Sequence, residues 1–207
     1  MTNRKNIYYW KCDRDSAFLT LTNNESADQN SDIESYLDLI LQKFFGGSSF
    51  SVHPASGQGN HITFLVKHQE MNYFLRIDNG PEHDIYMEVE AHVLDEVRAV
   101  GVPTPRVFDV DATRQEVPFA YQIMEFEDYP DLNSLHKKGR LDLPSVAEQI
   151  GNYLAKWQSI RPGGYGPFNP DKLRQKNELR GYHESYQDYF FLNLNKHLGF
   201  LEKHGFL

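Results

Sequence analysis

The stretch Tyr73-Phe74-Leu75-Arg76-Ile77 decides the fold. Read as a β-strand, its alternation puts Tyr73, Leu75 and Ile77 on one face and Phe74 and Arg76 on the other. Arg76 therefore shares a face with an aromatic ring, where a guanidinium needs a partner. The helical pattern from Asp84 to Val100 offers one. Glu90 lies in register with Leu94 and Val97 and points inward, whereas Glu88 shares its side with His92, Asp95 and Ala99 and is expected to face solvent. An ion pair between Arg76 and Glu90 is the expected tie between helix and sheet.

Outward from this pair, strand patterns dominate. Phe50 to His53 alternates, and Ile62 to Val66 with Asn72 to Ile77 makes a hairpin around His68-Gln69-Glu70. Gly101 and Pro103 stop the helix, and Pro105 to Asp111 with Pro118 to Glu125 forms a second hairpin. Strands, one helix and more strands predict an α+β domain with an antiparallel sheet, not a βαβ dinucleotide fold. Toward the N-terminus, Ser31-Asp32-Ile33-Glu34 has the form of a capping box, opening a helix with Ile33, Leu37, Ile40, Leu41 and Phe44 at helical spacing. Ile7 to Lys11 and Ala17 to Thr22 are read as two short strands. After Pro130 the pattern turns helical. Asp142, Pro144 and Ser145 begin a helix with Val146, Ile150, Leu154 and Trp157 on one side. Arg161 to Pro167 is a glycine-rich break, and Glu184 to His204 is read as one last helix.

Composition excludes several classes. A 207-residue chain with 40% hydrophobic residues can bury a real core. Its net charge of −8 argues against non-specific nucleic-acid binding, which needs clustered Lys and Arg. A single cysteine, Cys12, rules out an internal disulfide and a cysteine zinc cluster. No apolar run reaches membrane-spanning length and no signal core follows Met1, so no membrane partner and a cytoplasmic location are expected.

Few residues are candidates for chemistry. Gly57-Gln58-Gly59-Asn60 sits between two expected strands, where glycines let backbone N–H groups approach a phosphate; an ordinary hairpin turn has the same composition. Arg76 with Glu90 either holds a phosphate or simply joins helix to sheet. Met124-Glu125-Phe126-Glu127 ends an apolar strand, where backbone groups are free to meet an adenine edge and Met124 would wall the pocket; otherwise it is a linker. The nine histidines show no metal-ligand spacing, and Glu178 with Glu184 is not an acid–base pair.

In their order along the chain, these segments resemble the aminoglycoside phosphotransferase family, the small-molecule branch of the protein-kinase-like fold. The resemblance runs from about Phe50 to Leu207. It rests on Gly57-Gln58-Gly59-Asn60, Tyr73-Phe74-Leu75-Arg76, the helix from Glu90 with Val102-Pro103-Thr104-Pro105, Ala120 to Glu125, Gly164-Tyr165-Gly166-Pro167 and Leu194 to Leu207. It implies an antiparallel-sheet N-lobe with one main helix, followed by a helical part of the C-lobe. It divides the chain into an N-terminal extension at 1–30, an N-lobe with the nucleotide site at 31–127 and a helical, incomplete C-lobe at 128–207. Arg76 stands where the family has its phosphate-binding Lys or Arg, and Glu90 where its helical partner lies. Gly57, Gly59 and Asn60 fall in the phosphate turn, with Met124, Glu125, Phe126 and Glu127 at the adenine-contacting hinge. The implied partners are ATP with Mg2+ and an unidentified small-molecule hydroxyl acceptor.

There are departures from the pattern. The common Gly-Gly-x-Ser-Asn has become Gly57-Gln58-Gly59-Asn60, and Tyr129-Pro130-Asp131-Leu132 lacks the usual glycine after the hinge. The family's His-Gly-Asp loop and metal-binding Asp have no counterpart, so no catalytic residue and no metal ligand is assigned. The expectation is therefore a piece of a longer kinase that binds ATP or ADP weakly and does not turn over alone. Its last helix, with Tyr186, Tyr189, Phe190, Leu194, Leu198 and Leu201 aligned, is expected to lack cover and to drive self-association. The alternative is a non-catalytic nucleotide-binding or protein-interaction module, with Tyr8, Tyr9, Trp10 and Phe18 as a partner face. Those aromatics otherwise cover the sheet of the small lobe.

Overall fold

The computed structural model describes residues 4–8, 29–55, 61–80 and 83–206. The expected strands at Ile7 to Lys11 and Ala17 to Thr22 lie outside these residues except for Ile7 and Tyr8, which follow a 3-10 turn at Arg4–Asn6.

Five antiparallel strands form one sheet: β1 (Ser51–Pro54), β2 (Ile62–His68), β3 (Met71–Asp78), β4 (Val107–Asp111) and β5 (Ala120–Glu125), in the order β1-β2-β3-β5-β4. The alternation of β2 and β3 sends Phe64, Val66, Leu75 and Ile77 to one face, where they are buried. Helix α1 (Gln29–Phe44) covers that face with Ile33, Leu37, Ile40 and Leu41, and Phe119, Tyr121 and Ile123 complete the core. The helix already includes Gln29 and Asn30, so Ser31 lies inside it and not at the N-cap as a capping box would require. Gln29 and Asn30 contain nothing that stops a helix from extending backward through them.

Helix α2 (Tyr86–Ala99) lies on the opposite face, burying Met87, Val89, Ala91 and Val97. Met87 packs with Ala112 and Ala120. The helix ends where Gly101 takes a left-handed φ of +78°, which lets the Val102 N–H reach the Val97 carbonyl at 3.3 Å.

The remainder contains α3 (Leu132–Lys137), α4 (Leu143–Trp157), α5 (Pro170–Lys176), α6 (Tyr186–Phe190) and α7 (Leu194–Lys203). Asp142 caps α4 by accepting the Ser145 N–H at 3.3 Å, with a proline in the first turn. Two sequence expectations are corrected here. The glycine-rich break contains a strand, β6 (Tyr165–Phe168), paired with β7 (Gly181–His183). A side chain at Gly181 would bring its Cβ to 2.4 Å from the Tyr165 carbonyl oxygen, so the pairing depends on that glycine. The single helix expected from Glu184 to His204 is two, separated by turns in which Leu192 N–H bonds to Tyr189 and Leu194 N–H to Phe191. Ser185 starts the first by accepting the Asp188 N–H at 3.1 Å.

Apolar side chains in this region are poorly covered. Leu154 and Trp157 of α4 are 48% and 52% exposed, and Leu194 and Leu198 of α7 are 39% and 38% exposed. Tyr189 instead turns inward onto Tyr8 and His183. Tyr8 packs on the helical part through Tyr189 and Phe190, and Tyr9, Trp10 and Phe18 lie outside the described residues.

Candidate functional site

Strand register assembles the site. Thr63, Arg76 and Gln122 sit side by side across β2, β3 and β5, all on the face toward α2. Arg76 Nη2 donates to Glu90 Oε2 and, at 2.8 Å, to Gln122 Oε1. Gln122 is fully buried, and its Nε2 donates to the Met87 carbonyl at 2.6 Å. One amide thus joins the guanidinium to the backbone of the helix that carries Glu90.

Both charged groups keep water on one side, Arg76 at 23% and Glu90 at 40% side-chain exposure. Nη2 makes both bonds, Nε is buried without a partner, and Nη1 bonds to no described residue. Arg76 and Glu90 line a cleft of about 440 Å³ with Tyr86, Val89, Val93, Leu94, Pro105, Met124 and Phe168. A fixed cation lining an apolar cleft can take a flat apolar group bearing an anionic tail.

The other sequence candidates are placed as follows. Met124 lies two residues beyond Gln122 on the same strand and walls the cleft. Glu125, Phe126 and Glu127 continue past the strand end and are not among its lining residues. The Glu125 N–H is bonded to the Arg106 carbonyl at 2.8 Å, and its carboxylate accepts the Arg106 N–H at 3.1 Å. Gly57, Gly59 and Asn60 lie outside the described residues. Glu88 does not stand free in solvent: Arg174 of α5 donates to it from Nε at 2.8 Å and from Nη2 at 2.5 Å. That pair raises the Arg174 pKa. Glu178 and Glu184 both flank Arg180, as an ion-pair cluster and not an acid–base pair.

Two residues were missed. Gln122 is hidden in a strand buried on both faces, where one amide among apolar residues gives little periodic signal. His61, just before β2, has a buried Nδ1 with no partner. Burial first, and the Arg76 charge second, lower its pKa and favour the neutral ring.

Gln122 is the test of this arrangement. Replacing it with Leu keeps the volume but leaves the Met87 carbonyl and the Arg76 Nη2 each short of a partner. The expected cost is about 1–3 kcal/mol in urea unfolding. A Gln122→Leu protein as stable as the parent would show that the amide does not hold the pair.

The phosphotransferase enzyme family model matches residues 52–203. Among curated proteins there is no match. Among solved structures, aminoglycoside phosphotransferase APH(4)-Ia is similar in fold, with a TM-score of 0.58 at 16% identity over 79% of this chain and 51% of that one. A thermostable mutant of the same enzyme, in ternary complex with ADP and hygromycin B, gives a TM-score of 0.54 at 18% identity, over 77% of this chain and 50% of that one. This chain spans about half the length of those two enzymes. Sheet, helix and order of elements agree with the family match over most of the sequence: the chain belongs to the phosphotransferase enzyme family.

Proposed function

We propose that the cleft beside Arg76 binds the nucleotide of an ATP-dependent phosphotransferase acting on a small-molecule hydroxyl. The reading rests on one observation above all: among the described residues the guanidinium is held through Nη2 alone, and Arg76 lines the cleft. Arg76 would meet the phosphates, Glu90 and Gln122 would hold it, and Met124 would flank the base. Contacts to the adenine edge would come from Phe126 and Glu127, because the Glu125 N–H is already bonded. Gly57, Gly59 and Asn60 are proposed for the phosphate turn. In this scheme residues 31–127 form the nucleotide lobe and 128–207 the start of the helical one, in a cytoplasmic enzyme. In the proposed reaction a bond forms from the acceptor oxygen to the γ-phosphorus as the β–γ bridging bond breaks. ADP leaves with that electron pair, and the hydroxyl proton is released. Magnesium would come with the nucleotide phosphates, and no residue of this chain is assigned to hold it. No helix among the described residues is long and apolar enough to cross a membrane.

Calorimetry with ADP tests the reading. The chain should bind weakly, and Arg76→Ala should lower affinity by at least about tenfold, the worth of a hydrogen bond to a charged group. Lys43→Ala, which removes a cation of the α1 helix paired with Glu116 of the β4–β5 loop, should leave it unchanged. Equal affinity in the Arg76→Ala protein would overturn the assignment.

We further propose that the exposed faces of α4 and α7 associate with those of a second copy, since large apolar side chains there are left in water. Sedimentation should show a mass that rises with concentration. A monomer at every concentration would contradict this.

A further inference from the structure

The first described residues cross between the two halves of the fold. Arg4 reaches the start of α2, where its Nε donates to Asp84 at 2.6 Å and its guanidinium lies 3.6 Å from the centre of the Tyr86 ring. The next residues are gripped from the other side by their backbone. The Lys5 carbonyl accepts from His183 Nε2 at 2.8 Å, the Asn6 carbonyl from Asn193 Nδ2 at 3.2 Å and the Tyr8 carbonyl from the Tyr189 hydroxyl at 3.3 Å. These donors come from β7, α6 and the residue that opens α7. Ile7 is buried, and the Tyr8 ring packs at 5.1 Å from Tyr189 and 5.6 Å from Phe190.

One end of this segment meets the wall of the cleft. Tyr86 lines the cleft beside Glu90, and its hydroxyl accepts the Phe168 N–H at 3.2 Å; Phe168 lines the cleft too. Arg4 therefore packs on a side chain that touches the sheet-side helix, the β6 strand and the cleft together. Arg4 shares this grip on the start of α2 with Arg114, which donates to the Asp84 carbonyl at 2.6 Å, and Tyr86 lies one helical turn from Glu90.

We propose that residues 4–8 are a strap that sets the width of the cleft, and that Arg4 is a positioning residue for the nucleotide. This inference rests on reading the cleft as a nucleotide site. Strap docking and nucleotide binding are then coupled, and coupling between binding equilibria is reciprocal: whatever docking adds to affinity, the nucleotide must add to docking.

The test uses the 207-residue chain with ADP as the probe. Arg4→Ala should weaken ADP binding by about fivefold, the lower end of common coupling strengths. Arg4→Lys, which keeps a charge for Asp84, should restore part of it. Tyr189→Phe removes only the hydroxyl that holds the Tyr8 carbonyl and should weaken binding in the same direction, which covers the case of a poorly folded Arg4→Ala protein. Hydrogen exchange supplies the reciprocal reading. Amides of residues 5–8 exchange by local opening, which a ligand slows only if it favours the docked strap. ADP should slow them. Unchanged exchange together with unchanged affinity in Arg4→Ala and Tyr189→Phe would overturn the strap and leave the nucleotide cleft standing. Absence of ADP binding in the parent chain would overturn the cleft reading, and the strap's role with it.

Discussion

A guanidinium in the middle of a largely buried sheet face is the constraint around which this structure is arranged. Arg76 neighbours Gln122, a residue with no solvent exposure, and a cation there is tolerated only with acceptors in place. Gln122 and Glu90 are those acceptors. Because Gln122 also bonds the Met87 carbonyl, the demand passes from one side chain to the position of a whole helix. An α2 displaced along the sheet would strand the amide, the carboxylate and the guanidinium together. Burial of Met87, Val89, Ala91 and Val97 keeps α2 on the sheet, and the polar network selects one register.

The same helix is the joint to the rest of the chain. Glu88 meets Arg174, the Tyr86 hydroxyl meets Phe168, and Lys156 of α4 donates to the Gly101 carbonyl at 3.1 Å just past the helix end. An exposed ion pair such as Glu88 with Arg174 is worth little, and a single hydrogen bond adds only modestly. Their value is geometric, since they spread along α2 and leave the cleft between them. The cleft is bounded by the sheet, this helix and β6, so its shape follows from where α2 sits.

Much of this was legible in the sequence. Strand alternation around Arg76 and the placement of Glu90 beside Leu94 and Val97 give the helix–sheet tie directly, because both follow from local periodicity. Glu88 was misjudged for the complementary reason. Its partner Arg174 lies 86 residues away, and no local pattern announces a contact at that separation. Gln122 escaped because β5 is buried on both faces, so alternation does not separate its sides. The β6–β7 pair escaped because a four-residue strand flanked by glycines has a turn's composition. The long C-terminal helix was drawn across Phe191 to Asn193, where aromatic spacing continues although the backbone turns out of the helix.

The central claim is that Arg76 faces a nucleotide phosphate. Its most direct test is to follow the arginine side-chain N–H resonances by 15N NMR while ADP is added. The account predicts that the Arg76 signal shifts progressively and saturates, while that of Arg180, which pairs with Glu184 and does not line the cleft, stays in place. Saturable binding that leaves the Arg76 resonance unmoved would contradict it.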